Sequence, residues 1–350
     1  MNLNSPKVSV VMPVYNCEKY VGKAIESILN QTFGDFEFII IDDGSVDGSA
    51  DILARYQQID SRIQLYHQEN QGIDSSRNRG CGLARGKYIA VMDSDDISLP
   101  ERFAKEVSYM ETHPEIGVLG SWSQVIDGDD RVLRGRNVRS PTSPRVMGWF
   151  LLFTSCVDHS SVMMRRELVE KLGFYQMMDY DLYARANNIT QIANLPGVPL
   201  QYRVWEGNDT KRNLQTNTQN VVKIMYSQMV QLLGPDVPAE AVMTLRQVQF
   251  GLFLNTPDSI RQIDQADNLI HQLYRAYLRS NSLNPKEVKE IAQDAGIKLV
   301  GLASVASGIS LRKGLVIFAR AVRMYPQILL SRQIISKGVT KGVNIMLRKA

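Results

Sequence analysis

Lys87-Tyr88-Ile89-Ala90-Val91-Met92-Asp93-Ser94-Asp95-Asp96 joins an apolar, strand-like run to three carboxylates within four residues. Three anions so close repel one another and lose hydration if buried alone, so the segment makes a poor core. It suits a hard divalent cation, Mg²⁺ or Mn²⁺, which takes carboxylate oxygens and shares its other positions with water and phosphates. A strand that ends in Asp-x-Asp therefore points to metal-assisted chemistry on a phosphorylated substrate.

Strand and helix signals alternate on both sides of this segment. Val8-Ser9-Val10-Val11-Met12 reads as a strand ended by Pro13, and Asn16 can cap a helix whose apolar face is Val21, Ala24, Ile25, Ile28 and Leu29. Phe36-Glu37-Phe38-Ile39-Ile40-Ile41 is a second strand, stopped by Asp42-Asp43-Gly44-Ser45. A helix with Ile52, Leu53 and Tyr56 inward leads to a third strand, Ile63-Gln64-Leu65-Tyr66, and a helix near Ser75 to Ala84 precedes the carboxylates. Beyond them, Ser98-Leu99-Pro100-Glu101 reads as a capping box opening another helix. Such alternation predicts an α/β fold: a Rossmann-like, mostly parallel sheet flanked by helices, with ligands at the carboxyl ends of the strands. Both acidic clusters fall at such ends. Short strands are expected around Ser160 to Met164 and Pro199 to Arg203, and past about Asn208 the pattern turns helical.

The chain has 350 residues, enough for about two domains. Its 44% hydrophobic and 22% charged content is that of an ordinary globular protein. The N-terminus lacks the basic and apolar regions of a signal peptide, and no apolar run approaches the roughly 18 residues of a membrane span. Cys17, Cys81 and Cys156 are scattered and odd in number, which fits reduced thiols in a cytoplasmic setting, and the four histidines form no zinc pattern. No acidic residue follows Asp294, so the last 56 residues carry +10 against −6 for the remainder. Leu311, Leu315, Phe318 and Val322 make one helical face, with Lys313, Arg320 and Arg323 on the other side; beyond Pro326, Ile335, Val339, Val343 and Met346 face away from Lys337, Lys341 and Arg348. Two readings stay open: basic amphipathic helices at the inner face of an anionic membrane, or a helical cap with a solvated basic face. No nucleic-acid module accompanies the basic residues.

Pro13-Val14-Tyr15-Asn16, Ile41-Asp42-Asp43-Gly44-Ser45, Ser76-Arg77-Asn78-x-Gly80, Met92-Asp93-Ser94-Asp95-Asp96 and Asp179-Tyr180-Asp181-Leu182, in this order and spacing, resemble the family 2 glycosyltransferases of the GT-A fold. The resemblance covers the first three-fifths of the chain. It implies a catalytic domain over 1–207, leaving 208–350 as a helical region with a basic tail. It implies an inverting, hexosyltransferase-type enzyme that moves one sugar from a UDP-, GDP- or dTDP-linked donor to an acceptor hydroxyl, in cell-surface polysaccharide or lipid-linked glycan synthesis. Pro13 and Tyr15 would then pack on the base, Asp43 would accept its ring N–H with Asp42 beside it, and Arg77 would reach the diphosphate. Asp95 would hold the metal, with Asp93 and Ser94 as nucleotide-sugar contacts. Asp179 would be the general base, with His159 and Asp181 as candidates on the acceptor side.

Two positions depart from that pattern. Met178 stands where relatives usually carry an acid, and Trp205 stands where many place a histidine near the metal, so that either the metal has one protein ligand fewer or Glu206 or Asp209 substitutes. They motivate a rival reading, a catalytically degenerate nucleotide-sugar-binding or scaffolding protein. A nicotinamide dehydrogenase would need Gly-x-Gly-x-x-Gly after the first strand, a P-loop enzyme needs its Gly-Lys loop, and a processive synthase needs membrane spans; all three are missing.

Overall fold

The computed structural model describes residues 5–206, 214–253 and 256–330. The second half of the basic tail (Lys337, Lys341 and Arg348 with Ile335, Val339, Val343 and Met346), together with Asp209, lies outside the described residues.

Eight strands form one sheet in the order β3-β2-β1-β4-β7-β6-β8-β5. They are β1 Val8–Val14, β2 Phe36–Asp42, β3 Ile63–His67, β4 Tyr88–Val91, β5 Ile97–Ser98, β6 Ile116–Ile126, β7 Met163–Arg165 and β8 Gln191–Arg203. The pairings β1–β2, β1–β4, β2–β3 and β6–β8 are parallel, while β4–β7, β6–β7 and β5–β8 are antiparallel. The expected α/β sheet is thus present, with antiparallel insertions on one side. β1, β2 and β4 are buried along their whole length, as strands covered on both faces must be.

Pro13 sits inside central strand β1 without breaking it. Its missing N–H would point to the β4 side, where pairing runs only from Val8 to Val11. Helices α1 Val21–Leu29, α2 Ser49–Ile59, α3 Ile73–Leu83 and α4 Arg102–Thr112 follow the first strands in turn. α1 buries Val21, Ala24, Ile25 and Ile28, four of the five residues of the expected face.

Two local expectations are corrected. Asn16 does not cap α1, whose N-cap is Tyr20; it has φ 48° and serves the loops instead. Nor does Ser98 open a capping box. Ser98 is drawn into β5 by pairing with Leu200, Leu99 N donates to Pro199 O at 2.7 Å, and α4 starts later, at Arg102. Sheet hydrogen bonds from β8 outcompete the cap.

The chain divides into two compact units, one of residues 1–148 and 155–214, the other of 149–154 and 215–350. The described helices of the second unit are α8 Leu214–Leu233, α9 Ala239–Gln249, α10 Ser259–Ser280, α11 Pro285–Ile309 and α12 Leu311–Met324. Asn284 caps α11 in a capping box with Glu287, and Pro285 opens the first turn. Trp149 is fully buried in this unit, its indole N–H donating to Asp294 at 2.7 Å and its ring packed edge-on against Phe153 and Tyr277. No described helix is long and apolar enough to cross a membrane.

Candidate active site

The loops after β1 and β2 are stitched into one floor. Asp43 N donates to Val14 O at 2.8 Å, Val46 N donates to the Asn16 side chain at 2.8 Å, and Asn16 N donates to Ser45 Oγ at 3.1 Å. Gly44 turns the chain at φ 73°, a conformation that favours glycine. Asp42 is buried, accepting Ser45 N at 3.1 Å and meeting His67 Nδ1 at 2.9 Å. Asp43 is buried too. Its carboxylate accepts Gln68 Nε2 at 2.7 Å, Gln71 N at 3.0 Å and Gly72 N at 2.9 Å, so it holds the segment that leads into α3. Tyr15 keeps 51% of its surface exposed, available to a flat partner.

α3 carries Arg77 and lies close against β1. A Cβ at Gly80 would fall inside the Val11 side chain, which is why the Ser-Arg-Asn-x-Gly spacing ends in glycine. Arg77 is 8% exposed and donates to Asp93 Oδ1 at 3.0 Å. Burial opposes its charge, yet Asp93 and its other neighbours outweigh that and raise its pKa. Its guanidinium lies 5.8 Å from the ring of Tyr175. Asn78 grips that tyrosine's backbone at both ends, accepting Tyr175 N and donating to Tyr175 O, each at 2.9 Å.

At the end of β4, Asp93 Oδ2 accepts the Ser160 hydroxyl at 2.7 Å. Burial pushes the Asp93 carboxyl up, but Arg77, His159 and Ser160 outweigh it and the pKa is lowered. Asp95 differs: burial, then the charge of Asp93, pushes its pKa up to about 6. Its Oδ2 accepts the Trp205 indole N–H at 2.7 Å. Ser94 contributes its carbonyl, which accepts Cys17 Sγ at 3.4 Å. Asp96 reaches across to β8 and accepts Arg203 N at 2.8 Å. Arg203, fully buried, donates from Nε to Asp95 O at 2.6 Å and lies 4.4 Å from the ring of Tyr20, on which Trp205 also packs edge-on. The end of β8 thus braces the acidic segment from behind.

The Trp205 N–H favours the charged form of Asp95. In Trp205→Phe the carboxyl should therefore hold its proton to higher pH, and, if Asp95 holds the cation that the resemblance implies, nucleotide-dependent Mn²⁺ binding should fail at a higher pH than in the wild type. Electron paramagnetic resonance titration of Mn²⁺ across pH 5 to 8 reads this; coincident curves would refute the coupling.

Asp179 is the first residue of α7 Asp179–Asn187 and accepts Tyr180 N at 2.8 Å, where the helix N-terminus favours an anion. Its charge acts on both Arg77 and His159, so it lies near them. His159 is buried, 2.5 Å from the Tyr183 hydroxyl through Nδ1 and edge-on to Tyr175. Burial, then the charge of Arg77, pulls its pKa down to about 4, so the imidazole is neutral at pH 7. Asp181 is occupied by Arg185 at 2.8 Å, and that arginine holds the carbonyls of Leu172 and Phe174 at 2.6 Å each. Asp181 therefore shapes the loop before α7.

Arg77, Asp93 and Asp95 meet directly or through neighbours, with His159 and Asp179 beside them, whereas Asp42 and Asp43 organise the loops after β2 and β3. Sequence reasoning missed Ser160, Tyr175, Arg203 and the grip of Asn78. Asn78 falls inside a quoted motif and Ser160 at the start of an expected strand, but nothing local marks their partners, 97 and 67 residues away.

Residues 9–173 match the family model described as glycosyl transferase family 2. The O-antigen biosynthesis glycosyltransferase WbnJ of Escherichia coli is 31% identical over 215 residues, which span 59% of this chain and 83% of that one. Three further glycosyltransferases are matched at 30–39% identity over 65–68% of their own lengths. Among solved structures, residues 1–349 of TarS from S. aureus in complex with UDP-GlcNAc superpose with a TM-score of 0.57 at 17% identity, covering 92% of both chains. The mannosyltransferase PcManGT of Pyrobaculum calidifontis, in complex with GDP-Man and Mn²⁺, gives 0.52 at 15% identity over 93% of this chain and 88% of that one. Fold and site define a GT-A glycosyltransferase architecture. The chain belongs to glycosyl transferase family 2.

Proposed function

We propose that this chain is an inverting, hexosyltransferase-type enzyme that moves one sugar from a nucleotide-diphosphate sugar to an acceptor hydroxyl. The observation that carries the reading is the meeting of Arg77, Asp93 and Asp95 at the end of β4, beside the charge of Asp179. Tyr15 and Pro13 flank the base, Asp42 and Asp43 set the loop that reads it, and Arg77 faces the diphosphate. Ser94 and Asp93 complete the donor contacts. Asp179 takes the acceptor proton as the hydroxyl oxygen bonds to the anomeric carbon, and the bond from that carbon to the diphosphate breaks with its electron pair leaving on phosphate oxygen. His159, neutral, lines the acceptor side with Tyr175.

The residues fit a divalent cation. Among the described residues no three ligating side chains converge, so Asp95 would be its protein ligand, with diphosphate and water supplying the rest. Burial, then the charge of Asp93, pushes the Asp95 carboxyl up, and a cation beside it would oppose both. When bound, Mn²⁺ or Mg²⁺ would offset the charge of the departing diphosphate.

The donor is UDP-, GDP- or dTDP-linked, and the acceptor is a glycan or lipid-linked glycan of cell-surface polysaccharide synthesis. The setting is the cytoplasmic face of a membrane; the +10 charge of the last 56 residues supports it. A thermal-shift screen of nucleotide sugars with and without Mn²⁺, followed by donor hydrolysis, tests the reading. One nucleotide sugar should stabilise the protein in a cation-dependent way and be slowly hydrolysed. Stabilisation without any turnover would favour the scaffolding alternative.

A further inference from the structure

α12 presents two different apolar surfaces. The one that packs within the helical unit is narrow: Gly314, Ile317 and Ala321 are its buried residues. The broad face expected from the sequence points elsewhere. Leu311 is 53% and Leu315 46% exposed, with Phe318 and Val322 half-buried along the same stripe. A helix that used its leucines to fold would bury them and leave its small residues outside. Here both leucines lie outside, and two of the three buried residues are the small Gly314 and Ala321.

The charges divide in the same way. Lys313 and Arg320 turn back onto α10, paired with Asp264 and Asp267. Arg312 and Arg323 are both exposed, about a quarter turn or more round the helix from the leucines. No described acidic residue pairs with either, and the chain offers no acid after Asp294. An apolar stripe edged by free guanidinium groups matches an interfacial helix, which sinks its leucines to the acyl boundary while arginines meet anionic headgroups. It does not match a second copy of this helix, which would set like charges against each other.

We infer that the Leu311–Leu315–Phe318–Val322 stripe of α12, with Arg312 and Arg323, docks on an anionic lipid surface. This deepens the membrane setting proposed above and rests on it. It assigns that contact to a particular helix face, leaving the +10 charge as a general attraction.

The test uses the full chain and vesicles of phosphatidylcholine with and without about one-third phosphatidylglycerol. The wild type should float with the anionic vesicles and bind neutral ones at least about tenfold more weakly. Leu311→Ser/Leu315→Ser and Arg312→Glu/Arg323→Glu, each folded by circular dichroism, should each lose about tenfold or more of that binding. Wild-type flotation of the arginine variant, or binding lost only when residues after Leu330 are removed, would overturn the assignment. So would a wild type that ignores vesicles and instead forms a dimer abolished by the leucine substitutions. Donor hydrolysis in solution is read in parallel. Lost flotation with intact hydrolysis defeats only the docking face, whereas flotation without hydrolysis defeats only the transferase reading.

Discussion

Asp179→Asn is expected to lower sugar transfer by about 10²- to 10⁴-fold while leaving the melting temperature unchanged. The amide keeps a carbonyl oxygen, so the hydrogen bond now accepted from Tyr180 N can persist and α7 keeps its start. It cannot take the acceptor proton at neutral pH. Substrate affinity should change little, which separates the loss from a binding defect. Asp95→Asn should also abolish transfer, by a different route: cation binding in the presence of nucleotide weakens, and excess Mn²⁺ recovers part of the rate. Full activity in Asp179→Asn with a native melt would remove Asp179 from the role of base. Asp181 is the less suitable competitor because Arg185 already holds it.

Arg102→Met should destabilise the fold by about 3–5 kcal/mol, because breaking a buried ion pair leaves the partner uncompensated. Arg102 and Glu106 are both fully buried and meet at 3.0 Å. The same guanidinium donates to Val91 O at 3.0 Å and Val162 O at 3.3 Å, directly behind the acidic segment. Burial already pushes the Glu106 carboxyl up to about 7, even with Arg102 lowering it. Without the arginine it must rise further. A carboxyl that binds its proton more tightly folded than unfolded loses stability as pH rises, beginning near the unfolded value of 4.5 and continuing past 7. Urea melts of the variant should therefore show a larger deficit at pH 8 than at pH 5.5. A deficit independent of pH would mean that Glu106 is not the stranded charge. Arg102→Met/Glu106→Leu should regain most of the loss, since a well-packed apolar pair replaces both ions.

The first strands and helices were legible because a strand buried on both faces is a continuous apolar run, and β1, β2 and β4 are such runs. β8 was legible only at its end. Leu195-Pro196-Gly197-Val198, just before the strand expected from Pro199, carries turn-forming residues, yet it lies within a 13-residue strand. The register explains it: Ser121 faces Leu195 and Ser123 faces Leu200, so the prolines and glycine sit in a bulge that their neighbours on β6 bypass. At the site, the carboxylates announced themselves by chemistry and spacing. Their partners did not. Ser160 and Arg203 approach from 67 and 108 residues away, and no local pattern encodes such a meeting; Trp205 is marked only by its place in the family pattern.

The grip of Asp43 on Gln68, Gln71 and Gly72 has a consequence for anyone wishing to retune donor choice. The carboxylate assigned to the base also tethers the approach to α3, the helix that carries Arg77. With the roles proposed above, recognition of the nucleoside and handling of its phosphates would be mechanically one piece. A swap at Asp43 alone would disturb both ends of the donor together, so new specificity has to be evolved by changing the whole 68–77 stretch in concert.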